Sequence, residues 1–160
     1  MIVEGATVGY VSRRLGHMSL RRRERVLVLG VSLALLGAGC GSGDKLGAKA
    51  LSQQSKSLQS EASEGALLAQ DAASGKTTRI YTREHSSDLY KAASQAEASL
   101  KAGKTAPALE PKLRQLTALA TEVSAALKRL GGASNNEQRA LGSELEKAAQ
   151  ETKKIGKGLK

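Results

Sequence analysis

The stretch that decides the fold is LEPKLRQLTALATEVSAALKRL, residues 109–130. Leu109, Leu113, Leu116, Ala120, Val123, Leu127 and Leu130 advance by four and three in alternation. That alternation holds one apolar seam on a helix, whereas a half-buried strand would need a step of two. A helix cannot bury such a seam by itself, so the chain must supply partners. Pro111 is compatible with the start of this helix, because the first turn has no intrahelical donor to lose. Pro107 then belongs to the preceding loop.

The flanking sequence repeats the rule. Downstream, Leu141, Leu145, Ala148, Thr152, Ile155 and Leu159 form a second seam. Upstream, Tyr81, His85, Leu89, Ala92, Ala96 and Leu100 form a third. Leu51, Ser55, Leu58, Ala62 and Ala69 form a fourth, with Leu67 and Leu68 widening it. Three breaks separate the seams: Gly75-Lys76-Thr77-Thr78, Gly103-Lys104-Thr105 and Gly131-Gly132-Ala133-Ser134. Glycine suits the left-handed residue past a helix end, and Thr or Ser supplies an oxygen to cap the next helix. Ser134 followed by Glu137 reads as a capping box. Four helices are predicted near 45–74, 77–102, 109–130 and 135–157. Their short connections favour antiparallel neighbours, hence an all-α, up-down-up-down antiparallel four-helix bundle over 45–160. The Ala-rich seams of the first two helices are expected to pack closest. Gly156 and Gly158 are expected to fray the last helix.

Composition agrees. Phe and Trp are absent and three Tyr are present, which disfavours a sheet core or an aromatic groove. The formal charge of +10 suggests nucleic acid, yet six Arg of residues 1–39 stand against two Glu there, and removing them leaves about +6. With no aromatic interleaving for base stacking, no nucleic-acid partner is expected.

Residues 18–44 carry a different signal. Arg21-Arg22-Arg23-Glu24-Arg25 precedes an apolar run of 13 residues, 26–38. A membrane-spanning helix needs about 20, so the run has the length of a signal-peptide core. It closes in Leu36-Gly37-Ala38-Gly39-Cys40, followed by Gly41-Ser42-Gly43. This string resembles the lipobox of bacterial lipoproteins: a branched apolar residue, small residues, then cysteine. Gly37 holds the place where that family prefers Leu, and Leu36 stands one residue earlier. The resemblance implies a signal peptide over 18–39, a helix in the export machinery. It also implies diacylglyceryl attachment at Cys40, a flexible tether at 40–44 and residence on the extracytoplasmic face of a bacterial membrane. Cys40 is the sole cysteine, so an intrachain disulfide is impossible. Met18 is the natural start, with residues 1–17 either non-native or a long extension of the signal. The Arg22-Arg23 pair is followed by Glu24 and Arg25, where a twin-arginine signal wants apolar residues. The mature part resembles short helical lipoproteins of high-GC bacteria, which implies a location and no activity.

The sequence is poor in chemistry. His85 is the one histidine after Cys40, with Glu84 and Asp88 nearby, whereas a di-iron bundle needs Glu-x-x-His on two helices. Two Gly-Lys-Thr strings, at 75–77 and 103–105, lack the glycine five residues earlier and the strand that a phosphate loop requires. No G-x-S-x-G occurs. No catalytic residue, metal site or cofactor is therefore expected, and the chain reads as a non-enzyme. The expected role is a non-enzymatic interaction or structural module engaging an envelope protein or anionic polymer. The alternative is a small-ligand or metal carrier, with a cavity lined by Tyr81, His85 or Tyr90. The lysines of 147–160 suggest contact with anionic headgroups or polymers.

Overall fold

The computed structural model describes residues 45–159. The expected signal-peptide helix at 18–39, Cys40 and the 40–44 tether lie outside them. Within them the regular structure is helical: α1 (Ala48–Ala73), α2 (Arg79–Ala102), α3 (Glu110–Leu130) and α4 (Asn135–Lys157), with a 3₁₀ turn at Pro107–Leu109. Each helix falls within one turn of its expected bounds.

The three breaks obey different physics. Gly75 takes the left-handed conformation, φ 71°, and the Thr78 hydroxyl accepts the Tyr81 N–H at the start of α2. At the third break the Ser134 N–H and hydroxyl both donate to the Glu137 carboxylate, at 2.8 and 2.7 Å. Those bonds hold the Glu137 pKa below its ordinary value. The left-handed expectation fails at Gly103 and Gly131, whose φ values are −70° and −65°. Both are glycine because a neighbour lies too close. A Cβ on Gly131 would sit 3.1 Å from the Arg83 Cα, and one on Gly103 would strike the Leu46 side chain. Thr105 caps no helix; its hydroxyl donates to the Leu46 carbonyl at 2.6 Å, while the Leu46 N–H donates to the Lys104 carbonyl. The second break thereby clasps the start of α1.

The four helices share one core. Leu51, Leu58, Leu116, Leu127, Leu130, Leu141 and Leu145 are fully buried, as are Ala62, Ala120 and Val123. The α3 and α4 seams face inward as expected, with Leu109 and Ile155 at their edges. The most extensive interface joins α1 to α4, followed by α2 with α3. Ser55 donates to the Thr152 carbonyl at 2.8 Å, Gly65 lies against Leu127 and Leu145, and Gly142 packs on Ala69. Of the two Ala-rich seams, that of α1 packs against the glycines of α4, whereas α2 makes its larger interface with α3. Gly156 continues α4 instead of fraying it, since a Cβ there would come within 2.5 Å of the Ser55 hydroxyl.

The α2 seam is rotated by one residue at its N-terminal half. Thr82, Ser86, Leu89, Ala93, Ala96 and Leu100 are buried, while Tyr81 is exposed and His85 and Ala92 are half-buried. The ring residues dominate a hydropathy reading, but the close approach of Gly131 to Ser86 leaves room there only for a small side chain. Thr82 and Ser86 fit because their hydroxyls donate back to the Thr78 and Arg83 carbonyls. Leu67 is likewise exposed and does not widen the α1 stripe. Glu97 joins α2 to α3 by accepting from Ser124 at 2.7 Å and Thr121 at 2.9 Å, and it also accepts from Lys101. These donors, Lys101 first, hold its pKa below the ordinary value.

Candidate functional site

The packing of α1 on α2 places the one described histidine. Gly75 takes the left-handed conformation between the two helices, and a carboxylate of α1 meets a ring in the first turns of α2. His85 Nε2 then lies 2.8 Å from Glu64 Oε1, an ion pair whenever the imidazole is protonated. The Tyr81 ring stacks on His85 with centroids 5.4 Å apart and planes inclined at 25°. The carboxylates adjacent in sequence are not the partners. Asp88 pairs with Lys91 at 2.9 Å, which lowers its pKa, and Glu84 is exposed. Glu64 escapes sequence reasoning because it precedes His85 by 21 positions; the signal that could have found it is the Gly75 break between α1 and α2.

One turn earlier on α1, Glu61 is partly buried. Its Oε1 accepts from Ser57 at 3.0 Å, while Oε2 is enclosed without a partner. Burial raises its pKa, the Ser57 bond opposes this, and the neighbouring Glu64 carboxylate adds to the rise. A hydroxyl, an imidazole and two carboxylates thus line the α1–α2 seam without a nucleophile–base–acid arrangement. Among the described residues no group of three or more His, Cys, Asp or Glu could hold a metal ion.

Tyr81 and His85 stack on each other, whereas Tyr90 packs elsewhere, and none of the three lines either of the two surface depressions. Tyr90 turns toward α3, with the Lys128 ammonium 5.9 Å from its ring centroid. The depressions in the surface lie at the end of the bundle where α2 and α4 begin. One, of about 440 Å³, is lined by Thr77, Arg79, Thr82, Ser134 and the nearly buried Gln138, among others. A smaller one, of about 240 Å³, is lined by Arg79, Ile80, Arg83 and the Gly131–Gly132 turn. The two Gly-Lys-Thr strings act as connectors: Lys76 pairs with Asp71 at 3.3 Å, and Thr77 bonds the Thr82 hydroxyl at 3.0 Å.

The remaining feature of this end is apolar. Leu67, Ile80 and Tyr81 are 59%, 63% and 52% exposed, the large hydrophobic side chains that the described residues leave in solvent. Leu67 lies on α1, and Ile80 and Tyr81 lie in the first turn of α2. Cys40, the expected lipidation site, lies outside the described residues. Among the described residues no helix is long and apolar enough to cross a membrane. No family model, curated protein or solved structure matches the chain.

Proposed function

We propose that this chain is a bacterial lipoprotein whose helical domain works as a non-enzymatic interaction or structural module at the extracytoplasmic membrane face. Residues 18–39 are its export signal, Cys40 carries the acyl chains, and 40–44 tether the domain. The lipobox-like string at 36–40 supports the anchor. Two acyl chains on one residue give stable attachment without a spanning helix. The domain is an up-down-up-down antiparallel bundle. Its support is the numerical order of the contacts: Ser55 meets Gly156, Gly65 meets Leu145 and Ala69 meets Gly142, so positions fall along α4 as they rise along α1.

The observation that carries the interaction role is the exposed trio Leu67, Ile80 and Tyr81. A bundle that buries its leucines elsewhere leaves these three in solvent on one hairpin, as a partner-binding face would require. Ligand carriage has weaker support, since Tyr81, His85 and Tyr90 line neither of the two depressions. The test has two parts. Intact mass of the processed protein from membranes should show an acylated Cys40, and Cys40→Ser should move the protein out of the membrane fraction. A photocrosslinker at Tyr81 should trap a discrete envelope component that one at Ser143 does not. An unmodified Cys40, or identical crosslinking from both positions, would refute the respective half.

A further inference from the structure

The four helices interleave their charges so that one end of the bundle is basic and the other is not. Near the start of α1, the Leu46 N–H bonds the Lys104 carbonyl beyond the end of α2. Lys112, in the first turn of α3, donates to the Gly158 carbonyl beyond the end of α4. These contacts bring the start of α1, the end of α2, the start of α3 and the end of α4 together. With each helix divided near its midpoint, residues 45–60, 91–120 and 147–159 hold twelve Lys or Arg against three Glu. The other half, 61–90 and 121–146, holds six against nine Asp or Glu. Lys45, Lys49, Lys104, Lys153, Lys154 and Lys157 are exposed, and none forms an ion pair among the described residues. Of the three Glu at this end, Glu97 is taken by Lys101 and Glu151 lies 3.9 Å from Lys147.

We infer that this basic end is a docking surface for anionic phospholipid and that it seats the bundle upright, α1–α2 hairpin outward, on the membrane. The proposal rests on the lipoprotein reading for proximity and on the charge distribution for orientation. Cys40 and Lys45 are five residues apart, so the fully extended tether spans at most about 18 Å. The basic end is therefore held near the headgroups, whose potential decays over about 8 Å at physiological salt. The helices are about 32–39 Å long, so in this pose the acidic half begins about two screening lengths from the headgroups and extends to about four. An inverted pose would press nine carboxylates toward like charge. Each basic residue held at such a surface strengthens binding about five-fold. An apolar insertion site does not fit this end, because Leu46, Leu109, Ile155 and Leu159 pack into the core.

The test uses the full chain carrying Cys40→Ser, with phosphatidylcholine vesicles containing or lacking phosphatidylglycerol. The triple variant Lys49→Glu, Lys153→Glu, Lys154→Glu is compared with Lys76→Glu, Arg129→Glu, Arg139→Glu, which carries the same charge change on the other half. All six positions are exposed, and equal far-UV circular dichroism checks the fold. Any contribution of the leader is common to both variants and cancels in their ratio. The first triple should lose about a hundred-fold in partition onto anionic vesicles. The second should lose a few-fold at most, and neutral vesicles should not distinguish them. Equal losses would reduce the effect to net charge and overturn the docking surface. Undiminished vesicle binding, with loss confined to soluble polyphosphate, would overturn the lipid assignment in favour of a polymer. The anchor is scored separately by acyl mass on Cys40 in the processed wild type. An unmodified thiol with the vesicle preference intact sinks the anchor alone; an acylated Cys40 with indistinguishable triples sinks the docking surface alone.

Discussion

The tightest helix contact makes a quantitative prediction. Gly156 of α4 faces Ser55 of α1, whose hydroxyl donates to the Thr152 carbonyl at 2.8 Å. A Cβ at 156 would sit 2.5 Å from that hydroxyl oxygen and 3.4 Å from the Ser55 Cβ. Gly156→Ala gains about 1 kcal/mol of helix propensity. Against this, it expels the hydroxyl, costing about 1–3 kcal/mol for an unpartnered buried donor, with overpacking of similar size. The net expectation is a loss of about 1–5 kcal/mol. Ser55→Ala alone should cost about 1 kcal/mol or less, because the Thr152 carbonyl retains its helical acceptor role. In the double variant the oxygen is gone and the remaining contact, 3.4 Å, is ordinary. The propensity gain then survives, and the pair should approach wild-type stability. The coupling should reach about 1–5 kcal/mol, measured by urea denaturation followed at the helical circular dichroism band. Additivity of the two single effects within about 0.5 kcal/mol would refute the account of why position 156 is glycine.

Other outcomes follow from single buried groups. Thr152 is fully buried with its own hydroxyl unpartnered, so Thr152→Val should raise stability by about 1 kcal/mol in the same assay. A loss of comparable size would mean that the hydroxyl has a partner. Leu116→Asp places an unpaired charge at a fully buried seam position and should abolish cooperative thermal unfolding at neutral pH. A retained sharp transition would contradict the seam. Burial raises the folded-state pKa of Glu61 above its ordinary 4.5, so the folded state binds that proton more tightly than the unfolded state. Its contribution is fully present below 4.5 and is lost as pH rises through the folded value. Glu61→Gln should therefore gain on wild type as pH is raised from below 4.5 to neutrality in parallel denaturation curves. A difference independent of pH would show that Glu61 is not desolvated.

The basic end changes how the lysines near the C-terminus are understood. Read along the chain, 147–160 is a charged tail with fraying glycines. In the fold, Gly156 packs against Ser55, Gly158 accepts from Lys112, and Leu159 is buried. The lysines between them are thus presented from a fixed helix end.

Helix number, approximate bounds and the inward faces of α3 and α4 were legible in the sequence, because periodicity and capping act within a few residues. The step of four and three from Leu109 to Leu130, and the Ser134–Glu137 pair, carry their meaning without reference to distant chain. The seam of α2 was not legible in the same way. Whether His85 or Ser86 turns inward depends on the close approach of Gly131, which is 46 and 45 positions away respectively. The partnership of His85 with Glu64, the clasp of Leu46 by Lys104 and Thr105, and the glycine contacts of α4 belong to the same class. So does the gathering of twelve basic residues into one half of the bundle, from three separate stretches of chain. Hydropathy marks which residues seek the interior, but only close packing of one helix on another decides which fit and where their charges meet.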